Sequence, residues 1–255
     1  MPATATVGQR IASHGAGRPS AVNALVWEQF VDRIIVALRE AETAIITGKS
    51  PVDHLNMPTW WRTSRQTFGK HIVKVPSEDS VTDVLVRTLE MIKAASLDDD
   101  FLRIQQISFS DQQKRRSQSR VGRGAYSTDI RVVSGLVADL DLRIEAKIML
   151  GGNDATAYCG PDGALRFGDP VNPYTDAPIG MMLAYAVRHD AAKWRLDIER
   201  KLVGFDAINS ADDILAGGET LLASDLEVGD RPVTVVHLTL CLETDPSIRN
   251  LDKSK

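Results

Sequence analysis

The sequence contains little of what several classes of protein require. Only two of its 255 residues are cysteines, Cys159 and Cys241, and they form neither a C-x-x-C motif nor a cluster with histidines. This argues against a disulfide-stabilised scaffold and against a structural zinc site, and it fits a reducing compartment. No apolar run of about eighteen residues occurs, and the N-terminus lacks the apolar core of a secretory signal. We therefore expect a cytoplasmic protein without a transmembrane helix.

Positive charge is not in excess either. The chain has 30 lysines and arginines against 34 acidic residues, a formal net charge of −4, so contact with nucleic acid must come from a local basic patch. The G-x-S-x-G motif of many hydrolases is absent, and the five histidines show no zinc-ligand spacing. Gly48-Lys49-Ser50 resembles the end of a phosphate-binding loop, but Thr43 stands where that loop needs glycine. We interpret this tripeptide as a helix end.

Amphipathic segments dominate what the sequence does contain. Apolar residues recur at helical spacing from about 21 to 47, with Gly48 as a C-cap, and helix-start signals precede a second helix over about 80–96. Residues 1–20 have no acid and are rich in small residues, which predicts a disordered leader before a single domain over 21–255. The predicted strands lie near residues 102–110, 128–134, 140–150 and 232–242.

Two further segments were assigned from shorter patterns. Pro178 is predicted to open one long helix that ends at Gly204. Asp162-Gly163, between two short apolar stretches, predicts a β-hairpin over about 155–168.

The stretch DLRIEAKIML, residues 141–150, alternates charged and apolar side chains. Because successive residues of a strand face opposite sides, one face packs in a core and the other carries Asp141, Arg143, Glu145 and Lys147. A solvated face explains this simply. Asp141 and Glu145 lie roughly 13 Å apart along the strand, too far to share one metal ion. Arg143 and Asp141 form either a surface ion pair or substrate contacts.

Asp129 changes this interpretation. If strands 128–134 and 140–150 form a hairpin with its turn near Val137 and Ala138, Asp129 falls opposite Ala146, about 5 Å from the junction of Glu145 and Lys147. Two carboxylates can then share a hard cation beside an ammonium group, which is what phosphodiester hydrolysis requires. A second D/E-x-K triplet ends at Lys201, but its helical pattern indicates an exposed face.

Asp129, a spacing of sixteen residues and Glu145-Ala146-Lys147 in an apolar strand resemble the PD-(D/E)xK nuclease superfamily. The resemblance implies a restriction-endonuclease-like α/β fold, with an αβββαβ core over about 77–243, a central mixed sheet flanked by helices, and an extra N-terminal helix. It covers about two thirds of the chain. Thr128 stands where proline is common in that family, at a position that varies.

The resemblance also implies roles for individual residues. Asp129 and Glu145 would bind Mg²⁺, or Mn²⁺, and Lys147 would orient or activate water, which makes these three the catalytic residues. Many family members add an acid from the first core helix, so Glu78 is the candidate third metal ligand, with Asp79 or Asp83 as alternatives. The expected activity is endonucleolytic hydrolysis of DNA phosphodiester bonds, with RNA as an alternative substrate.

Further expectations follow from the same resemblance. A role in prokaryotic defence is a hypothesis, and cleavage of both strands of a duplex would favour a homodimer. Two other interpretations stay open: a non-catalytic nucleic-acid-binding or interaction module on the same fold, and an unrelated fold with a solvated charged strand.

A basic segment directly precedes Asp129. Residues 112–124 hold five basic residues and no acid, which predicts an exposed loop at the mouth of the proposed cleft. Arginine side chains suit phosphate, but basic loops are also commonly just solvated, and both interpretations stay open. The candidate nucleic-acid-binding residues are Lys114, Arg115, Arg116, Arg120 and Arg123.

Overall fold

A computed structural model describes residues 4–14, 20–50, 63–68, 71–114, 127–151, 153–228 and 231–242. Its strands are β1 (Ala5–Thr6), β2 (Thr63–Phe68), β3 (His71–Pro76), β4 (Ser108–Lys114), β5 (Ser127–Val133), β6 (Asp141–Met149), β7 (Ile179–Ala186), β8 (Ser210–Ala216), β9 (Glu219–Val228) and β10 (Arg231–Cys241). Its helices are α1 (Val7–Ser13), α2 (Ala21–Ile46), α3 (Glu78–Ala95), α4 (Phe101–Ile104), α5 (Asp154–Cys159) and α6 (Ala191–Leu202), with a 3₁₀ helix over Ala164–Gly168.

Eight of these strands form one mixed sheet, in the order β1-β8-β9-β10-β7-β6-β5-β4, and β2 and β3 form a separate hairpin. Neighbouring strands are antiparallel except at β1–β8, β10–β7 and β7–β6. Helices α1, α2 and α3 share one core with one face of the sheet. Helices α5 and α6 and the 3₁₀ helix share a second core with the other face. The prediction of an α/β fold with a mixed sheet flanked by helices is confirmed.

The two long predicted helices are confirmed. Helix α2 ends before Gly48, whose φ of 73° is the left-handed conformation that favours glycine after a helix. Helix α3 begins at Glu78 because the Ser77 side chain accepts a hydrogen bond from the Ser80 N–H and caps it. Within α2, the apolar side chain of Leu25 is 54% exposed.

The disordered leader predicted over 1–20 is wrong for residues 4–14. Strand β1 pairs in parallel with β8, and Thr6 caps α1 through a reciprocal capping box with Gln9. Val7 and Ile11 are fully buried against α2. Apolar residues at positions i and i+4 are thus the signal that anchors this segment, although small residues surround them.

The long helix predicted from Pro178 to Gly204 is two elements. Residues 179–186 form β7 and only 191–202 are helical, as α6. Every residue of β7 is buried, because helices cover both faces of this central strand. A strand buried on both faces is a continuous apolar run without alternation, which cannot be told from a buried helix by periodicity.

Two shorter predictions also need correction. Residues 101–104 are helical and the strand predicted near 102 begins at Ser108. The hairpin predicted over 155–168 is α5 followed by the 3₁₀ helix. Strands β1, β2, β3, β8 and β9 were not predicted, whereas β5, β6 and β10 lie where expected.

Consecutive elements from residue 78 to residue 186 run α3, the one-turn helix α4, β4, β5, β6, α5, the 3₁₀ helix and β7. Strands β4, β5 and β6 are an antiparallel meander, and β7 returns parallel to β6 after the crossover that contains α5. The sequence predicts a helix, three strands, a helix and a strand, with residues 232–242 as the last strand. In the structure the strand that follows α5 is β7, so the last strand of this order was predicted in the wrong place. Within the described ranges, no helix has both the length and the apolar character needed to span a bilayer.

Candidate active site

The candidate site lies where β5 and β6 separate. Their ladder ends at the pair Ile130–Ile144, although β6 continues to Met149. Beyond that pair, the Ala146 N–H donates to Oδ2 of Asp129 at 2.7 Å, and the Ile148 N–H donates to Oε2 of Glu78 at 3.3 Å. Two carboxylates thus bind N–H groups of β6 past the end of its ladder with β5.

The register differs by one residue from the prediction. Val133 pairs with Asp141 and Ile130 with Ile144, so continuing the ladder brings Asp129 beside Glu145 and not beside Ala146. The connecting loop is held by Ser134, whose hydroxyl accepts from the N–H groups of Leu136 and Val137. This register favours the site, because directly opposite residues share one face of the sheet.

Lys147 joins the acids. Its Nζ lies 2.7 Å from Oε1 of Glu145 and 3.3 Å from Oε1 of Glu78. Glu78 reaches the site from the first turn of α3, where an acid is also favoured by the partial positive charge of the helix N-terminus. The four predicted residues Asp129, Glu145, Lys147 and Glu78 are therefore brought together.

Of the two alternatives to Glu78, only Asp83 lies away from the site. Asp79 is exposed, lines the same cleft as Glu78 and Lys147, and its charge reaches Asp129. Asp83 pairs with Arg87 on the surface of α3 at 3.0 Å.

Glu145 is the most deeply placed acid of the group, with 5% of its surface exposed. Its Oε2 atom is buried and receives no hydrogen bond of good geometry from the described residues. The Tyr174 hydroxyl lies close enough to act as a hydrogen-bond donor that opposes the rise in the pKa of Glu145, and it also donates to the Asp162 carbonyl at 3.5 Å. A buried carboxylate oxygen without a hydrogen-bond donor or a bound cation lowers the stability of the folded state.

Crowding of acids shifts their protonation. Burial, and then the charge of Glu145, raise the pKa of Asp129 to about 7, against the opposing effects of Lys147 and the Ala146 N–H. Burial also raises the pKa of Glu145 and of Glu78, although Lys147 opposes both shifts. Burial would lower the pKa of Lys147, but the three carboxylates together raise it. Lys147 is therefore charged at neutral pH, while Asp129 is close to its midpoint.

An open cleft of about 330 Å³ leads to the site. Glu78 and Lys147 line it, together with Asp154 from α5. The Asp154 carboxylate accepts hydrogen bonds from the Leu150 and Gly151 N–H groups at 2.7 and 2.8 Å. Sequence reasoning missed Asp154 and Tyr174; the available signal for Asp154 was an acid two residues after the Gly-Gly dipeptide that follows the charged strand.

The donor chemistry of this cluster fits a hard divalent cation. Three carboxylates offer oxygen ligands beside a single ammonium group, and Oε2 of Glu145 is buried without a hydrogen bond of good geometry from the described residues. Among the described residues no three acidic, histidine or cysteine side chains converge as a preformed metal cage. Mg²⁺ does not require one, since it commonly uses one or two carboxylates and keeps several waters.

Little can be placed of the basic segment. Lys114 is the last residue of β4 and pairs with Ser127, so the strand extends further than the predicted loop allowed. The predicted contacts Arg115, Arg116, Arg120 and Arg123 lie outside the described residues.

Comparison with known proteins identifies no relative. No protein-family model, curated protein or solved structure matches the chain. What this site does must therefore be argued from its own geometry.

Proposed function

We propose that the chain is a Mg²⁺-dependent endonuclease that hydrolyses DNA phosphodiester bonds at the cluster of Asp129, Glu145 and Lys147. The observation that carries the proposal is the convergence of these residues with Glu78 where β5 and β6 separate, around a buried carboxylate oxygen of Glu145 that receives no hydrogen bond of good geometry from the described residues. A structural ion pair would balance its charges, whereas this cluster has three acids for one ammonium.

The order of elements supports the same proposal. The PD-(D/E)xK resemblance implies helix, three strands, helix, strand, with the acids on the second and third strands. Residues 78–186 follow that order apart from the short helix α4 and the 3₁₀ helix, and Asp129 and Glu145 belong to the second and third strands of the meander. The resemblance and the geometry therefore point to one set of residues.

Each residue has a distinct task in the proposed reaction. Asp129 and Glu145 would hold Mg²⁺, and Glu78 would bind the ion either directly or through a water molecule. The cation would supply Lewis-acid stabilisation of the charge that develops on the phosphate and would lower the pKa of a bound water. Lys147 would hold the attacking water or the developing charge through its Nζ–H groups, since it remains protonated at neutral pH. Tyr174 would limit the movement of Glu145.

Plasmid nicking tests this proposal. Wild-type protein should nick supercoiled plasmid with Mg²⁺ and stop in chelator. Glu145→Gln and Lys147→Ala should each reduce the rate by about 10²–10⁴-fold, because each removes a group that acts on the reacting atoms. Lys201→Ala is the matched control, since it alters the second D/E-x-K triplet on the exposed side of α6.

The second candidate is a binding module without catalysis. Its support is the closure of Lys147 on Glu145 and Glu78, which neutralises part of the cluster without any ion. Such a module would bind DNA or RNA, would not cut either, and would be indifferent to Glu145→Gln. Cleavage that survives in chelator, or in both site variants, would contradict the nuclease proposal.

A further inference from the structure

Next to the acid cluster, two arginines face each other across the same pair of strands. Arg131 of β5 and Arg143 of β6 are directly paired in the ladder. They lie two residues from Asp129 and from Glu145, which is roughly 6–7 Å along each strand. Like charges in directly opposite positions are unfavourable unless a counter-charge holds them.

Asp141 is that counter-charge. Its carboxylate receives Nε and Nη2 of Arg131 at 3.0 and 2.9 Å, and Nε of Arg143 at 2.9 Å. Burial would raise the pKa of Asp141, but the two guanidinium groups lower it, so it is ionised at neutral pH. These three side chains together carry a net charge of +1.

Asp141 holds the guanidinium group of Arg131 in place through only one edge of that group. Asp141 occupies its Nε–Nη2 edge, and among the described residues no acceptor occupies the edge formed by its two terminal nitrogens, which could bind a second anion. Arg131 is 37% exposed, against 11% for Arg143. On the adjoining strand β4, Ser108 is exposed and Ser110 partly so. Solvent therefore reaches this part of the sheet, in contrast to the buried Glu145.

We propose that Arg131, oriented by Asp141 and backed by Arg143, binds the backbone phosphate adjacent to the one that is cleaved. The proposal rests on the nuclease function, because it takes the acid cluster as the position of the cleaved phosphate. A separation of two residues along the strands is comparable to that of neighbouring phosphates on one nucleic-acid strand. An arginine fork held from behind by a carboxylate suits a phosphate better than a mobile lysine does.

Under this proposal Arg131 contacts the substrate. The competing account is that Arg131, Asp141 and Arg143 form an ion triad that only stabilises the fold. A structural triad would lose stability with Arg131→Ala and leave nucleic-acid binding unchanged. A phosphate site would lose affinity whether or not stability changes.

Fluorescence anisotropy of a labelled DNA duplex, in chelator and at several salt concentrations, separates the two accounts. Arg131→Ala should weaken binding about tenfold and reduce the slope of log K against log salt by roughly one, because one phosphate contact is lost. Arg103→Ala is the matched control, because Arg103 forms an exposed ion pair with Asp98 and is 43% exposed.

Each outcome is decisive. Arg131→Ala binding with wild-type affinity and slope overturns the proposal, as does an equal loss in Arg103→Ala. Absence of duplex binding by the wild type at low salt overturns it as well. If Arg131→Ala shows the expected loss but the wild type nicks no plasmid, the nuclease function fails while the phosphate site stands.

Discussion

Asp225 and Asp129 are two largely enclosed aspartates on different strands of one sheet, and their surroundings are opposite. Asp225 of β9 receives Nε of Arg10 at 3.1 Å and the hydroxyls of Ser210 and Thr234 at 2.8 Å, with His14 at 3.3 Å. Burial would raise the pKa of Asp225, but these donors hold it well below its usual range. Asp129 receives one backbone N–H, faces other acids, and its pKa is raised to about 7.

The comparison separates acids that stabilise a fold from acids that the fold tolerates. Asp225 ties α1 to β8, β9 and β10, and all its neighbours are donors. The strands place Asp129 and Glu145 in surroundings where burial and neighbouring acids raise the pKa of each carboxyl group. Perturbed acids of this second kind cluster at functional sites.

The largest effect is expected at Asp225. Asp225→Ala leaves Arg10, which is 8% exposed, without its main partner, and should lower the free energy of unfolding by about 3–5 kcal/mol. Urea denaturation measures this change. Asp212→Ala is the control, because Asp212 lies 3.7 Å from the same arginine but is 67% exposed. Equal losses in the two variants would contradict a buried, satisfied role for Asp225.

His237 provides a second test of the satisfied region. The Tyr158 hydroxyl donates its proton to the Met182 carbonyl, so its oxygen accepts from Nδ1–H of His237, and Nε2 accepts from the Ser224 hydroxyl. The ring is therefore neutral, and burial, with the charge of Arg10 adding to it, lowers the pKa of His237 to about 3.

As the solution is acidified, His237 therefore becomes protonated at a higher pH in the unfolded chain than in the folded protein. The stability contributed by neutral His237 is present above about pH 6.5 and is lost as pH falls toward 3, by about 2–3 kcal/mol at pH 4.5. Urea denaturation at about pH 7.5 and 4.5 should show a steeper loss in wild type than in His237→Gln. Parallel losses would assign the acid sensitivity to other groups.

Asp129 should behave in the opposite sense. Its folded pKa exceeds the unfolded value, so the stability it contributes is present below about pH 4 and is lost as pH rises through about 7. Asp129→Asn keeps an acceptor for the Ala146 N–H and removes the charge. At about pH 8 it should stabilise the fold by about 1–2 kcal/mol, less than the full shift implies because solvent in the cleft screens the charge.

The same variant should abolish plasmid nicking. Thermal unfolding at pH 8 and at pH 5 checks the stability change, which should shrink at the lower pH. A variant that is less stable at both values would place Asp129 with Asp225, among the acids that hold the fold together.

Parts of this contrast could be predicted from the sequence. Asp129, Glu145 and Lys147 were found because alternation in β6 defines which residues share a face and because a short hairpin limits where its partner strand lies. Glu78 was one of three acids in the first turns of α3, and only the start at Ser77 determines which of them reaches Lys147.

Other parts depend on contacts that no local pattern encodes. The register was wrong by one residue because the loop is shaped by Ser134 and not by a two-residue turn. Tyr174 comes from an irregular segment, and its approach to Glu145 depends on packing against Phe167. Strand β7 was mistaken for a helix because both of its faces are covered, which is a property of the whole fold and not of its eight residues.

The separation of β5 from β6 has one further consequence. Unpaired N–H groups along a sheet edge are a template on which strands from other molecules can add. At Ala146 and Ile148 the carboxylates of Asp129 and Glu78 occupy those donors. We therefore expect that replacing both acids with alanine would leave these two N–H groups unpaired. The double variant should then aggregate more readily than wild type, in addition to being inactive.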